Sequence, residues 1–348
     1  MKKITLCVLT SLLVISGTIV FVEDGKAEQK VYKLELLGGA GYNYYSAMAV
    51  ADALNVNPRL RVSAIQTTGP EMDVMQSTNR DPNSLLLFST QSSIVHAQMS
   101  AADFKGKPPI RDLKWICGTM WGHHAFVVTD PNLKKMEDLN GKTLAMLPGQ
   151  TTRTKLDWSF KLLGVKPNIK QMGFSEQYDA LRDGVADAAI YLATGIPGGQ
   201  FFPVPPLMEL AQAKKIYAFG WPKACVEYMN KMILETEKIP PTSFATVIPA
   251  GTLPLQTEPI EAYGAMVNGY FAKAAASEEM VYEVTKTLAQ NYYRLGAVLP
   301  DLASLTPAAM VQLMIIEDES EIHPGALKYY KEVGLWPRAW ENRKHFLK

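Results

Sequence analysis

The chain has few cysteines, no excess of either charge and none of the short motifs that mark common catalytic sites. Its 348 residues carry 35 Lys and Arg against 34 Asp and Glu, so the basic surplus that drives counterion release from nucleic acid is missing. No nucleic-acid partner is expected. Of three cysteines, Cys7 falls in an apolar leader, while Cys117 and Cys225 stand in no CxxC or Cys/His cluster. The five histidines offer only the adjacent pair His123 and His124, and neighbours on a strand or helix point apart, so they seldom share a metal. Neither a metal site nor a cofactor is expected. In an oxidising compartment Cys117 and Cys225 either form one bridge or remain two buried thiols, and the sequence leaves both open. There is no GxSxG, no GxxxxGK[ST] and no HExxH, and Gly38, Gly39 and Gly41 lack the third glycine of a GxGxxG. With no activated nucleophile in view, a secreted α/β enzyme is the alternative reading rather than the main one.

What is present begins with the leader. Lys2 and Lys3 precede an uncharged apolar run over 4–22, and Gly25 and Ala27 follow at the positions a signal peptidase reads. This pattern predicts a signal peptide over 1–27 and export to the periplasm. The competing reading is an uncleaved anchor, since the run approaches the roughly 20 residues that span a bilayer. Hydrophobic residues make up 47% and charged residues 20% of the chain, the balance of a globular protein.

From residue 31 short apolar strands alternate with amphipathic helical stretches, the pattern of strands joined by crossover helices. Strands at 31–37, 61–66 and 85–88 each end in a small polar loop that opens a helix. A second unit follows, with strands at 143–147 and 188–193 that also run into polar loops. The expected fold is α/β and two-lobed, each lobe a mostly parallel sheet flanked by helices, with a ligand cleft between lobes at the carboxyl ends of the strands. Residues 28–125 with 255–348 are expected in lobe 1 and 126–254 in lobe 2. The Pro-rich stretch 239–259 reads as a connection between lobes, and the remainder as helices returning to cover the first.

Several segments, in order, resemble one family: the loop from Gly38 to Tyr45, Thr67-Thr68-Gly69-Pro70, Asp138-Leu139-Asn140-Gly141-Lys142, Leu147-Pro148-Gly149, Leu181-Arg182-Asp183-Gly184, Pro249-Ala250-Gly251-Thr252 and His323-Pro324-Gly325-Ala326. They are similar to the TAXI family, the extracytoplasmic solute receptors of tripartite ATP-independent periplasmic (TRAP) transporters. That resemblance implies a two-lobed, monomeric periplasmic binding protein, with no enzymatic activity, that closes on a small carboxylate and delivers it to TRAP permease subunits. Presentation of the ligand to a sensory membrane protein is an alternative use of the same pocket. The chain departs from the family pattern at Thr67 and Pro70, which end a loop usually reading Ala-Thr-Gly-Gly, and at Gln150 and Arg153.

Candidate ligand-binding residues follow from the loop ends. Tyr42, Tyr44 and Tyr45 offer phenol groups and rings, room for a carbon frame larger than glutamate. Thr68 and Gly69 open one helix, and Ser89, Thr90 and Gln91 follow the third strand. Gly149, Gln150, Thr151, Thr152 and Arg153 open another helix, where backbone N–H groups and a guanidinium suit a carboxylate. Thr194 and Gly195 complete the second lobe's side. For the leader, N-terminal sequencing of periplasmic protein is expected to start at or near Glu28; an intact Met1 in a membrane fraction would favour the anchor.

Overall fold

The computed structural model describes residues 30–147, 150–195, 201–241, 243–265 and 268–341; the leader and Gly149 lie outside them. The first β-α units are β1 (Tyr32–Gly39), α1 (Tyr42–Leu54), β2 (Leu60–Thr67), α2 (Pro70–Ser77), β3 (Leu85–Thr90) and α3 (Gln91–Met99). In β1 Tyr32, Leu34, Leu36 and Leu37 are buried, as expected of a strand covered by helices. β2 and β3 both run parallel to β1, with Gly39 beside Thr67 and Gly38 beside Phe88. The three strands therefore end at one edge of the sheet, where their helices begin. Asp73 of α2 binds two of these ends together, accepting from the Gly39 N–H at 2.9 Å and the Thr67 hydroxyl at 2.5 Å. Gly39 lies so close to Gly69 that an added Cβ would meet its backbone at 2.7 Å.

The chain leaves this sheet after β4 (Leu113–Gly118) and enters the second with β5 (Trp121–Val128). The second sheet goes on with β6 (Thr143–Met146), α4 (Gln150–Leu163), β7 (Asn168–Gln171), α5 (Glu176–Arg182), β8 (Ala188–Gly195) and β9 (Phe201–Pro203). It is completed by α6 (Pro205–Ala213), β10 (Tyr217–Phe219), α7 (Lys223–Glu237), β11 (Ser243–Ile248) and β12 (Ile260–Ala265). The chain then returns to the first sheet as β13 (Asn268–Lys273), and the strand orders are β2-β1-β3-β13-β4 and β11-β12-β5-β8-β6-β7. The two crossings lie side by side: the Thr119 backbone N–H and hydroxyl both donate to the Asn268 carbonyl, at 2.8 and 3.0 Å.

Three details differ from the sequence expectation. The stretch 121–128 is one continuous strand rather than a break followed by a short one, and the second sheet includes β12 up to Ala265 before the first resumes with β13 at Asn268. The Pro-rich stretch contains β11: Pro240 and Pro241 precede it and Pro249 follows it, so no proline interrupts its ladder with β12. Among the described strands of the two sheets, parallel pairing joins β2-β1-β3 and β7-β6-β8. The strands that carry the chain between sheets, β5, β12 and β13, pair antiparallel with their neighbours. Cys117 and Cys225 are both buried and unbridged.

After β13 come α8 (Glu278–Gln290), α9 (Leu295–Val298), a 3-10 turn (Pro300–Ser304), α10 (Pro307–Gln312), α11 (Pro324–Glu332) and α12 (Arg338–Glu341). Met280, Val281, Val284 and Leu288 make the buried stripe of α8, and His323 at the start of α11 donates its backbone N–H to the Trp115 carbonyl of β4 at 2.9 Å. These helices cover the first sheet. No helix among the described residues is long and apolar enough to cross a membrane. Where β4 meets α10, a Cβ on Gly118 would lie 2.4 Å from the Leu313 carbonyl carbon. Gly118→Ala should therefore cost about 1–3 kcal/mol through overpacking, read as a lower urea midpoint; an unchanged midpoint would mean that α10 gives way freely.

Candidate functional site

The strand ends of the first sheet and the inner face of the second enclose a cavity of about 160 Å³. From the first sheet and its loops come Ala40, Tyr42, Asn43, Pro70, Glu71, Thr90, Ser92 and Asn268; the second contributes Gly122, His124, Leu147, Lys155, Phe174, Leu192, Thr194 and Tyr263. Phe174 closes against Gly41, whose φ of +86° requires glycine and whose added Cβ would strike the Phe174 ring at 2.4 Å.

Lys155 is the dominant charge on the second wall. It is 2% exposed, although lysine is almost never fully buried without a partner. Its Nζ donates to the Tyr263 hydroxyl at 2.6 Å and lies 4.9 Å from the Tyr263 ring centroid. Among the described residues no carboxylate approaches it within the 4 Å of an ion pair. Local packing holds it there. Leu156 and Phe160 bury the adjoining stripe of α4, while Ser159, one turn on, donates to the Lys155 carbonyl and accepts from the Trp221 indole N–H, both at 3.0 Å. Trp221 in turn packs on Tyr263 at 5.1 Å.

The neighbouring imidazoles stay neutral. Burial first, and then the Lys155 charge, pushes His124 and His96 down to about 4. His124 stacks on Tyr263 with ring centroids 5.0 Å apart, and its Nδ1 has no hydrogen-bond partner among the described residues. On the opposite wall Glu71, in the first turn of α2, accepts from the Ser93 hydroxyl at 3.1 Å. Behind the cavity Asp301, 4% exposed, accepts from the Tyr42 hydroxyl at 2.6 Å and the Thr194 hydroxyl at 2.5 Å. One carboxylate so holds a side chain from each half, and burial raises its pKa.

Of the residues expected from sequence, Tyr42, Thr90 and Thr194 line the cavity. Tyr44 and Tyr45 do not: their rings lie beside each other on α1, with Tyr45 39% exposed. Thr68 is exposed and Gly69 caps α2 beside the lining residues Pro70 and Glu71. Ser89 donates to the Pro70 carbonyl at 3.1 Å, and Gln91 donates to the Ile315 carbonyl at 3.2 Å, so both serve packing contacts. Gly195 ends β8 opposite Trp121. Gln150, Thr151 and Thr152 open α4, and their side chains, like Gly149, lie outside the described part.

Arg153 is not among the residues that line the cavity. Its Nε donates to both carboxylate oxygens of Asp157, at 2.9 and 3.1 Å, on the outer face of α4. Two helical residues turn the side-chain direction by about 200°, so the rotation that buries Lys155 sends Arg153 outward. Among the described residues that line the cavity, the cation is Lys155. Sequence reasoning passed over it, along with Glu71, Asp301 and Tyr263. A lysine directly beside the apolar stripe Leu156, Phe160 and Leu163 was the available signal.

This arrangement, two α/β halves meeting over a small polar cavity, is the fold of the two-lobed periplasmic binding proteins. The structure of MatC from Rhodopseudomonas palustris with bound malate matches with a TM-score of 0.51 at 11% identity, over 88% of this chain and 98% of MatC. A periplasmic transporter matches with a TM-score of 0.51 at 15% identity, over 90% of this chain and 96% of its own. The chain belongs to the NMT1-like family, which it matches over residues 37–334. A search of curated proteins finds no match to the sequence.

His123, neighbour of His124 on β5, faces away from the cavity. It packs 4.4 Å from the Phe201 ring, and neither ring nitrogen has a partner among the described residues. Burial, and to a lesser degree His124, pushes its pKa down to about 3. A depressed histidine leaves stability intact above its unfolded value of about 6.5 and drains it as pH falls toward the folded value. His123→Phe should therefore gain on the wild type by about 1.4 kcal/mol per pH unit between pH 6 and 4, measured by urea unfolding at several pH values. Asp73, which burial pushes up to about 7, acts with the opposite sign but is common to both proteins. A gap that stays constant would show that His123 meets water in the folded chain.

Proposed function

We propose that the protein is a periplasmic solute-binding protein, not an enzyme, which captures a small organic acid between its two halves and delivers it as a monomer to a TRAP-type membrane permease. The observation that carries this reading is the buried Lys155 ammonium, which lines the cavity, donates to the Tyr263 hydroxyl and, among the described residues, has no carboxylate within ion-pair distance. Leaving such a group uncompensated costs several kcal/mol, and a ligand carboxylate offsets that cost. MatC, of the same fold, holds malate. The volume of about 160 Å³ is close to the roughly 150 Å³ that accommodates benzene, so the solute is a short acid or a single ring rather than a frame much larger than glutamate.

The test is calorimetry with short-chain acids, amino acids, dicarboxylates and aromatic acids. Removing the charged partner of a buried carboxylate typically costs about 2–5 kcal/mol, so Lys155→Met should weaken binding at least roughly tenfold. Arg153→Ala should bind as the wild type does. Normal affinity in folded Lys155→Met would end the reading of Lys155 as the carboxylate site.

A further inference from the structure

Charges of both signs face the cavity. One ammonium, Lys155, faces it, and so does one carboxylate, Glu71, from the other half. The two do not pair with each other. Asp301 adds a second carboxyl group directly behind the wall, bonded to Tyr42 and Thr194. A ligand with a single carboxylate finds its cation at Lys155. A dicarboxylate of the same length brings a second negative charge toward Glu71, in a partly enclosed space where water and salt screen repulsion poorly.

The hydroxyl groups carry the same polarity. A hydroxyl has one proton and two lone pairs. Tyr42 and Thr194 both direct their protons to Asp301 Oδ2, at 2.6 and 2.5 Å, and both line the cavity. Toward a ligand they present lone pairs alone. Glu71, as a carboxylate, likewise only accepts. Besides its cation, then, the cavity offers acceptors drawn from both halves, and these fit a donor on the ligand.

We infer that the protein selects a monocarboxylate whose second polar group is a hydrogen-bond donor, a hydroxyl or an ammonium, and rejects dicarboxylates of equal length through Glu71 and the Asp301-oriented hydroxyls. This rests on the acid-receptor reading above. Glu71 is the specificity-determining residue, and Asp301, which orients the cavity hydroxyls from behind, is a positioning residue.

The experiment is calorimetry with chains of three, four and five carbons, each as the ω-hydroxy acid, the ω-amino acid, the dicarboxylic acid and the plain monocarboxylic acid. On the wild type a donor-bearing acid should bind at least roughly tenfold more tightly than the dicarboxylate of its own length, as like charges brought together cost several kcal/mol. Glu71→Gln keeps the shape but removes the charge, and should narrow that ratio by about tenfold. Asp301→Asn provides a second arm: its amide donates to one hydroxyl, whose own proton is then free to turn into the cavity, so this ratio should fall as well. A dicarboxylate that binds the wild type as tightly as the donor-bearing acids would overturn the inference while leaving the acid receptor standing. So would an unchanged ratio in both variants. Absence of binding by every acid in the set would overturn the acid-receptor reading itself, and the inference with it.

Discussion

An ammonium taken out of water costs several kcal/mol unless the fold returns equivalent interactions, and at Lys155 the described residues return one hydrogen bond and the face of one ring. The surroundings are organised around that shortfall. Tyr263 stays in place because β12 pairs with β5, which sets Tyr263 opposite His124, and because Trp221 packs against its ring. Burial first, and then the Lys155 charge, keeps the imidazoles of His124 and His96 neutral. The second wall thus carries a single focused charge, with the rest of its polar groups neutral.

The first sheet supplies the other wall by a different device. Its parallel register brings three strand ends to one edge, where Asp73 ties the ends of β1 and β2 together and Thr90 caps the start of α3. The walls meet because two crossings, hydrogen-bonded through Thr119 and Asn268, carry the chain out and back. Asp301 adds a connection independent of the crossings. Hydrogen bonds to a charged group contribute about 1.5–3 kcal/mol each, so its bonds to Tyr42 and Thr194 are large enough to influence how the halves settle around a ligand.

Much of this architecture was legible because periodicity and punctuation are local. The alternation in β1, the run of apolar residues in β3 and the polar loops after them place the strand ends without knowledge of the fold, and Tyr42, Thr90 and Thr194 follow from that placement. What escaped depends on partners far away in sequence. β11 hides among five prolines because its pairing with β12 decides its state, and the prolines fall on its flanks. Tyr44 and Tyr45 share the composition of Tyr42 but not its helical phase. Asp301 acquires its role only when the 3-10 turn that bears it meets residues 107 and 259 positions away.

On the proposed reading, the choice of Lys155 over Arg153 changes where a carboxylate would sit as well as which residue would hold it. A site built on the backbone N–H groups at the start of α4 would keep a carboxylate at the helix tip. Lys155 lies five residues beyond Gln150, about 7 Å further along the helix axis at 1.5 Å per residue, beside Tyr263 and His124 of the inner strands. A carboxylate held there occupies the deep side of the second half. The remainder of a short ligand would then point back toward the strand ends of the first sheet, where Glu71 and Tyr42 line the cavity. Depth on one wall and acceptors on the other give the cavity a direction, and that direction follows from a rotation of two residues on a single helix.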